Sequence, residues 1–279
     1  VLRDNIEIKD PSYITKEYEN YDINIFFVQK KDHKPEDINL NIVYEDESLI
    51  VINKPPNLVM HPAPGNESGT LVNALMYYTK NKLSNLDDNS RPGIVHRLDK
   101  DTSGILVIAK NNTTHINLAE QFKDHSISRR YKAIVWGSPD SQTIEGYIER
   151  NKKNRKKMSL NNKGYGRYSK TIIKLEKSYG IASIVDCELH TGRTHQIRLH
   201  LTSKNCPIVG DKIYGRSKIN QFGKNKNTIN KFMILKNFER QALHAYHLGF
   251  EHPISKKRMN FDVELPEDFR NLIDLIVKY

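Results

Sequence analysis

Between two apolar runs, Ile94-Val95 and Ile105-Leu106-Val107, the chain carries the stretch His96-Arg97-Leu98-Asp99-Lys100-Asp101-Thr102-Ser103-Gly104. A charged loop beside a buried strand is where a scaffold presents reactive groups. Its carboxylates, Asp99 and Asp101, are the reactive candidates. Read by itself, the stretch is equally a turn capped by Asp101 and Ser103 and closed by Gly104. His195 and His200 raise the question of a metal, but a spacing of five is awkward on one helical face and no Cys or acidic ligand accompanies them, so no metal is assigned. No Walker loop, dinucleotide fingerprint or HExxH motif occurs, and no cofactor is expected. Tyr131, taken alone, is an aromatic on a core strand, and Arg198 an arginine on a helix surface.

The elements that must position these residues are legible in outline. Leu49 to Asn53 is a β-branched run closed by Lys54-Pro55-Pro56, which reads as a buried strand ending at prolines. Thr70 to Tyr78 reads as a helix, Ile105 to Ala109 as a second buried strand, and Asn112 to His125 as a helix opened by polar capping residues. Tyr131 to Trp136 is strand-like. Lys170 to Leu175 and Ile181 to Leu189 flank a turn at Tyr179-Gly180, and Thr194 to Ser203 is helical with Ile197 and Leu201 on one face. The last helix has Phe269, Leu272, Ile273, Ile276 and Val277 at helical spacing, with Pro266 as a start signal. Strands outnumber helices without alternating regularly with them, which argues for an α+β fold rather than a doubly wound sheet. Residues 1 to 29 read as short strands and turns, with alternation at Ile6, Ile8, Ile23, Ile25 and Phe27. Residues 30 to 38 read as a charged linker and 39 to 279 as the main domain.

The 279 residues, 37% of them hydrophobic, suffice for one large domain with a small appendage. The chain is charged from its third residue and has no apolar run long enough for a membrane span, so neither an export signal nor a membrane partner is expected. Its first residue is Val1 rather than methionine, which points to a segment preceding this sequence. Cys187 and Cys206 are too few for a disulfide framework and too far apart for half a zinc site, which fits a reducing cytoplasm. A net charge of +11, with 44 Lys and Arg against 33 Asp and Glu, raises the expectation of a polyanionic partner. The charge is concentrated. Residues 151 to 170 hold Lys152, Lys153, Arg155, Lys156, Lys157, Lys163, Arg167 and Lys170 with no acid, and a second acid-free block runs from Lys212 to Phe238. Such blocks resemble a phosphate-tracking surface; a solvated lysine-rich surface is the alternative.

The string HRLDKDTSG resembles, over nine consecutive positions, the signature of the RluA-type pseudouridine synthases. The resemblance continues through Ile42-Val43-Tyr44-Glu45-Asp46, Val51-Ile52-Asn53-Lys54-Pro55, Ser128-Arg129-Arg130-Tyr131, Thr191-Gly192-Arg193-Thr194-His195-Gln196-Ile197-Arg198-Leu199-His200, Val209-Gly210-Asp211, Tyr214-Gly215 and Leu243-His244-Ala245, in the family's order. It is closest to the RluD-like branch, which acts on large-subunit (23S) ribosomal RNA and carries an N-terminal S4 RNA-binding module. Residues 1 to 29 are similar to the last strands of that module.

The resemblance implies a pseudouridine synthase fold, a mixed and mainly antiparallel sheet flanked by helices. It also implies a cofactor-free isomerisation: the N1–C1′ bond of uridine breaks, the uracil turns, and C5 joins C1′. Asp99 corresponds to the family's catalytic carboxylate, Arg198 to the arginine that pairs with it, and Tyr131 to the tyrosine that stacks under the uracil and is proposed to handle the C5 proton. Arg97 matches the residue that fills the space left by the flipped nucleotide, with His96 beside it in the loop, packing or hydrogen-bonding there. Arg193 is assigned to RNA phosphate or a neighbouring loop, and the basic blocks, Lys152 to Lys157 among them, to gripping RNA. The implied partner is ribosomal RNA, with transfer RNA as the second choice, acted on by a monomer. Two rivals stay open: an N-glycosidase that releases free uracil, and a non-catalytic RNA-binding or ribosome-assembly protein on the same fold.

Overall fold

A computed structural model describes residues 1–279 except 11, 24–33, 64, 87–90, 155–156, 216–224 and 279. Ile25, Phe27, the first part of the expected linker, Arg155, Lys156 and the middle of the second basic block therefore lie outside the described residues. No helix among the described residues is long and apolar enough to cross a membrane. The chain divides into two units, Val1–Asp32 and His33–Tyr279.

The first unit is a three-stranded antiparallel sheet of β1 (Leu2–Arg3), β2 (Ile6–Glu7) and β3 (Tyr21–Asp22), in the order β2-β1-β3. The alternation does not bury a face: Ile6 and Ile23 are 64% and 63% exposed. Polar ties substitute for a core, with Arg3 donating to the Tyr13 hydroxyl at 2.7 Å and to Glu19 at 3.2 Å.

The second unit is built on ten strands. They are β4 (Ile42–Glu45), β5 (Leu49–Lys54), β6 (Ser103–Ala109), β7 (Ser128–Trp136), β8 (Gln142–Arg150), β9 (Met158–Asn161), β10 (Arg167–Ser178), β11 (Ala182–Leu189), β12 (Leu243–Glu251) and β13 (Arg258–Asp262). Their order is β4-β5-β6-β12-β7-β11-β10-β8-β9, with β13 added on β12. All pairings are antiparallel except β6 with β12, so the sheet is mixed and mainly antiparallel, and the fold is α+β as the sequence pattern predicts. The helices are α1 (Leu71–Tyr78), α2 (Asn112–Lys123), α3 (Gln196–Ser203), α4 (Lys226–Lys236) and α5 (Glu267–Lys278).

β5 and β6 are continuous apolar runs because both of their faces are covered, and successive side chains point to opposite sides. Ile50, Ile52, Leu106 and Ile108 join Leu71 and Leu75 of α1 in one core. Leu49, Val51, Ile105 and Val107 join Leu118 of α2 and Phe250 of β12 in the other. Thr70 and Asn73 close a capping box at the start of α1, and the Asn111 side chain accepts from Thr114 N–H to start α2. In α5, Phe269, Leu272 and Ile276 are buried, whereas Val277, the last of the periodic set, is 56% exposed.

Several boundaries differ from expectation: β6, β7 and β10 extend beyond the stretches read from the sequence, and two helices are shorter. α2 ends at Lys123, ahead of Asp124 and a left-handed His125 (φ 59°). α3 starts at Gln196 because His195 is left-handed (φ 58°), a conformation that cannot continue a helix. β4, β8, β9, β12, β13 and α4 were not expected as elements; the first basic block begins just after β8, and α4 carries part of the second.

Candidate active site

The loop that carries Asp99 is tied down from all sides. The His96 Nε2 accepts the backbone N–H of Val107 at 3.0 Å while its ring stacks on Phe122 at 4.5 Å, and burial pulls its pKa down to about 3, so the imidazole is a neutral anchor. Lys54, fully buried at the end of β5, donates to the carbonyls of Pro55, Leu58 and Lys100 at 2.8, 3.0 and 3.0 Å. Arg240 donates to the Asp101 carbonyl and Gln241 to the Thr102 hydroxyl. Ser103 Oγ lies 2.9 Å from His244 Nδ1 on β12. Gly104 is where the parallel strands β6 and β12 approach: its φ is 121° and a Cβ there would lie 2.1 Å from the Ala245 carbonyl oxygen.

With the loop fixed, the Asp99 side chain faces α3. Arg198 donates through Nη1 to Asp99 Oδ2 at 2.9 Å, and through Nε and Nη2 to Asp211 at 2.7 and 2.9 Å. One planar guanidinium thus bridges two carboxylates, bidentate to the deeper one. Burial disfavours the Arg198 charge, but its bonds to Asp211 and Asp99 outweigh this and raise its pKa. Burial likewise opposes the charge on Asp211, and Arg198 together with the N–H groups of Ile213 and Tyr214 lowers its pKa nonetheless. Arg198 also lies over the Tyr214 ring at 5.1 Å.

α3 is held to β10 by buried polar bonds. His200 bridges Ser169 Oγ (3.0 Å) and Thr171 Oγ1 (2.9 Å), and Gln196 donates to Thr171 Oγ1 and to the Lys170 carbonyl. His195, at the helix entrance, places Nε2 3.9 Å from Asp99 Oδ1 and Nδ1 2.9 Å from the Tyr214 hydroxyl, which accepts from Met158 N–H. Burial lowers the His195 pKa, with Asp99 opposing. His195 and His200 therefore have separate partners, and among the described residues no three His, Cys, Asp or Glu side chains converge to hold a metal.

A cleft of about 450 Å³ opens over this pair, bounded by the 95–102 loop, the end of α2, β7 and the entrance of α3. Tyr131 on β7 lines it, 7% exposed, and burial followed by the Asp99 charge raises the phenol pKa. The arrangement is a carboxylate with a fixed guanidinium counter-charge in a cleft that a tyrosine ring also lines. Arg97, exposed, and Arg193, half-buried, also line the cleft, as does His96. Asp99, Tyr131, Arg198, Arg97, Arg193 and His96, from three separate stretches of the chain, thus line or face one cleft. Lys152 and Lys153 are exposed in the β8–β9 turn with Lys157 half-buried nearby, and none of the three lines the cleft; Arg155 and Lys156 lie outside the described residues. Asp211, Tyr214 and Arg129 were quoted only as parts of motifs, and His195 otherwise only as a rejected metal ligand. The signal that marks Asp211 and Tyr214, a carboxylate and a phenol in one short segment after a buried strand, is too common to carry a role without the contact to Arg198.

The RNA pseudouridylate synthase family profile matches residues 48–203. The chain is 44% identical over 271 residues to the ribosomal large subunit pseudouridine synthase D of Zymomonas mobilis, covering 97% of this chain and 83% of that protein. It is 40% identical over 269 residues to an uncharacterized RNA pseudouridine synthase of Aquifex aeolicus, covering 95% and 82%. Among solved structures, human RNA pseudouridylate synthase domain containing 4 shares the fold with a TM-score of 0.62 at 22% identity, over 85% of this chain and 93% of that one. The matched stretch holds Asp99, Tyr131 and Arg198, and the chain belongs to the RNA pseudouridylate synthases, isomerases that convert uridine to pseudouridine in RNA.

Proposed function

We propose that the chain isomerises specific uridines of large-subunit ribosomal RNA, with Asp99 as the carboxylate that acts at C1′. The observation that carries this is the Asp99–Arg198–Asp211 arrangement facing Tyr131 across one cleft. Breaking the N1–C1′ bond leaves C1′ electron-poor, and a carboxylate there stabilises that charge, captures it as an adduct, or removes a sugar proton. Arg198 holds the carboxylate in place through a two-point grip on Asp211. Tyr131 stacks on the uracil while it turns, and its phenol lies within the same pocket as the C5 proton that must leave.

A uridine must come out of its stack to reach this depth. Arg97, exposed at the mouth, fills the vacated space, while His96 holds the loop that presents it. Arg193 and the basic residues from 152 to 157 grip RNA. The ribosomal target is supported by the likeness to the ribosomal large subunit pseudouridine synthases D of Zymomonas mobilis and Buchnera aphidicola. The enzyme acts as a cytoplasmic monomer without cofactor or metal, and its three-stranded first unit reads as the remnant of an S4-like module.

Pseudouridine mapping of RNA from cells lacking the enzyme, after incubation with wild type or Asp99→Asn, tests the reading. New sites with wild type and none with Asp99→Asn are expected. Modification by both would remove Asp99 from the role, and free uracil without pseudouridine would replace the isomerase with a glycosidase.

A further inference from the structure

The arginines of this protein fall into two groups. Arg130 pairs with Asp186, Arg240 with Asp268, and Arg198 with Asp99 and Asp211. Arg129 and Arg193 pair with no carboxylate among the described residues, although both line the cleft. Asp99 is the single acid among the cleft's lining residues and is already held by Arg198, so the charges of Arg97, Lys123, Arg129 and Arg193 are in surplus.

Arg129 is the unusual member. It is 6% exposed, yet its guanidinium makes one hydrogen bond, from Nη2 to the His190 carbonyl at 3.2 Å, and its buried Nε has no acceptor. Leaving buried donors of a cation unpaired is costly, and folded proteins avoid it unless a ligand completes the set. Burial lowers the Arg129 pKa, and the Arg193 charge lowers it further against the opposing effect of Tyr131, so two cations that line the same cleft repel each other. Arg193 is in turn repelled by Arg167 at the start of β10.

Gly192 supports the same reading. A Cβ at Gly192 would lie 2.8 Å from Arg129 Nη1, so the end of the Arg129 side chain rests against the backbone next to Arg193.

We propose that Arg129 and Arg193 form a phosphodiester subsite inside the cleft, which takes one backbone phosphate of the RNA strand carrying the target uridine. A phosphate accepts from both guanidiniums and cancels charge that a neutral base carbonyl would leave standing. Arg167 continues the cationic path onto the surface. The proposal rests on the RNA-modifying reading above and adds to it the group that holds the strand while the base lies against Tyr131.

The test is a linkage-by-linkage scan on the full chain, in the Asp99→Asn background so that binding is read without turnover. The probe is a hairpin RNA whose loop carries the uridine found by mapping or, if mapping finds none, a hairpin with an all-uridine loop. Each loop phosphate in turn is replaced by a neutral methylphosphonate. One linkage is expected to weaken binding about tenfold, and the same replacement should have no further effect once Arg129→Gln or Arg193→Gln is added. Each variant should also lower the salt dependence of binding by about one phosphate contact, and Arg129→Lys should recover part of the loss. If Arg129→Gln fails to fold, Arg193→Gln carries the same comparison. Losses that add at every linkage, or variants that leave affinity unchanged, overturn the subsite. Coupling at one linkage in a protein that modifies no uridine would keep the subsite and remove the enzymatic reading; conversion without coupling would do the reverse.

Discussion

Arg198 grips two carboxylates that differ in depth, and this gives opposite expectations for two chemically identical substitutions. Asp211 has a fully buried side chain, whereas that of Asp99 is 19% exposed. In Asp211→Asn, the one remaining oxygen is claimed by the position that accepts from Ile213 N–H, Tyr214 N–H and Arg198 Nη2. The amide nitrogen then sits where Oδ2 was, facing Arg198 Nε at 2.7 Å, donor against donor. Removing one partner of a buried pair costs about 3–5 kcal/mol, which for a chain of this size lowers Tm by on the order of 10 °C. Asp99→Asn leaves the bidentate bond intact and still offers Nη1 an oxygen, so its stability should stay within about 1 kcal/mol of wild type. Activity should follow the reverse order, with Asp99→Asn inactive and the folded fraction of Asp211→Asn slow but active. Thermal melts beside a pseudouridine assay read both quantities. Equal melting losses for the two variants, or an Asp211→Asn protein as stable as wild type, would refute the assignment of Asp211 as the anchor of Arg198.

Lys54 should make stability depend on pH. Burial lowers its pKa from 10.5 to about 7, so between these values the unfolded chain binds the extra proton and stability rises with pH, by up to about 1.4 kcal/mol per unit. Denaturant melts at pH 7, 8 and 9 should show this rise in wild type and lose it in Lys54→Met, which should also be less stable throughout because three carbonyls lose their donor. Gly104→Ala should fold poorly or not at all, since its Cβ would overlap the Ala245 carbonyl in the β6–β12 pairing; a circular-dichroism melt like that of wild type would contradict this. Tyr131→Phe should bind RNA as wild type does, whereas Tyr131→Ala should lose about 1–3 kcal/mol of affinity with the stacking surface, measured in the Asp99→Asn background. Equal affinities for all three would take the ring out of base binding.

Much of this protein is legible from local chemistry. The buried strands β5 and β6 show as β-branched runs, α5 as a helical period after Pro266, and α2 through its capping residues, because each signal lies within one turn or one strand of the chain. The loop from His96 to Gly104 is a nine-residue signature that carries Asp99, and the motifs at 128–131 and 191–200 carry Tyr131 and Arg198. β12 escapes such a reading. It sits at the centre of the sheet, parallel to β6 and antiparallel to β7, and its pairing is decided by strands more than a hundred residues away. β8, β9 and β13 are amphipathic at the sheet's periphery, where polar residues hide the alternation. The roles of Asp211, Lys54, His195 and Arg129 belong to the tertiary structure alone. A carboxylate becomes an anchor only when a guanidinium lies 2.7 Å away, a lysine becomes a clamp only when three carbonyls surround it, and an arginine draws notice only when burial leaves one of its donors unmet. Residue types and their order determined the family and the candidate reacting groups; three-dimensional proximity, which spacing along the chain does not encode, decided what holds those groups in place.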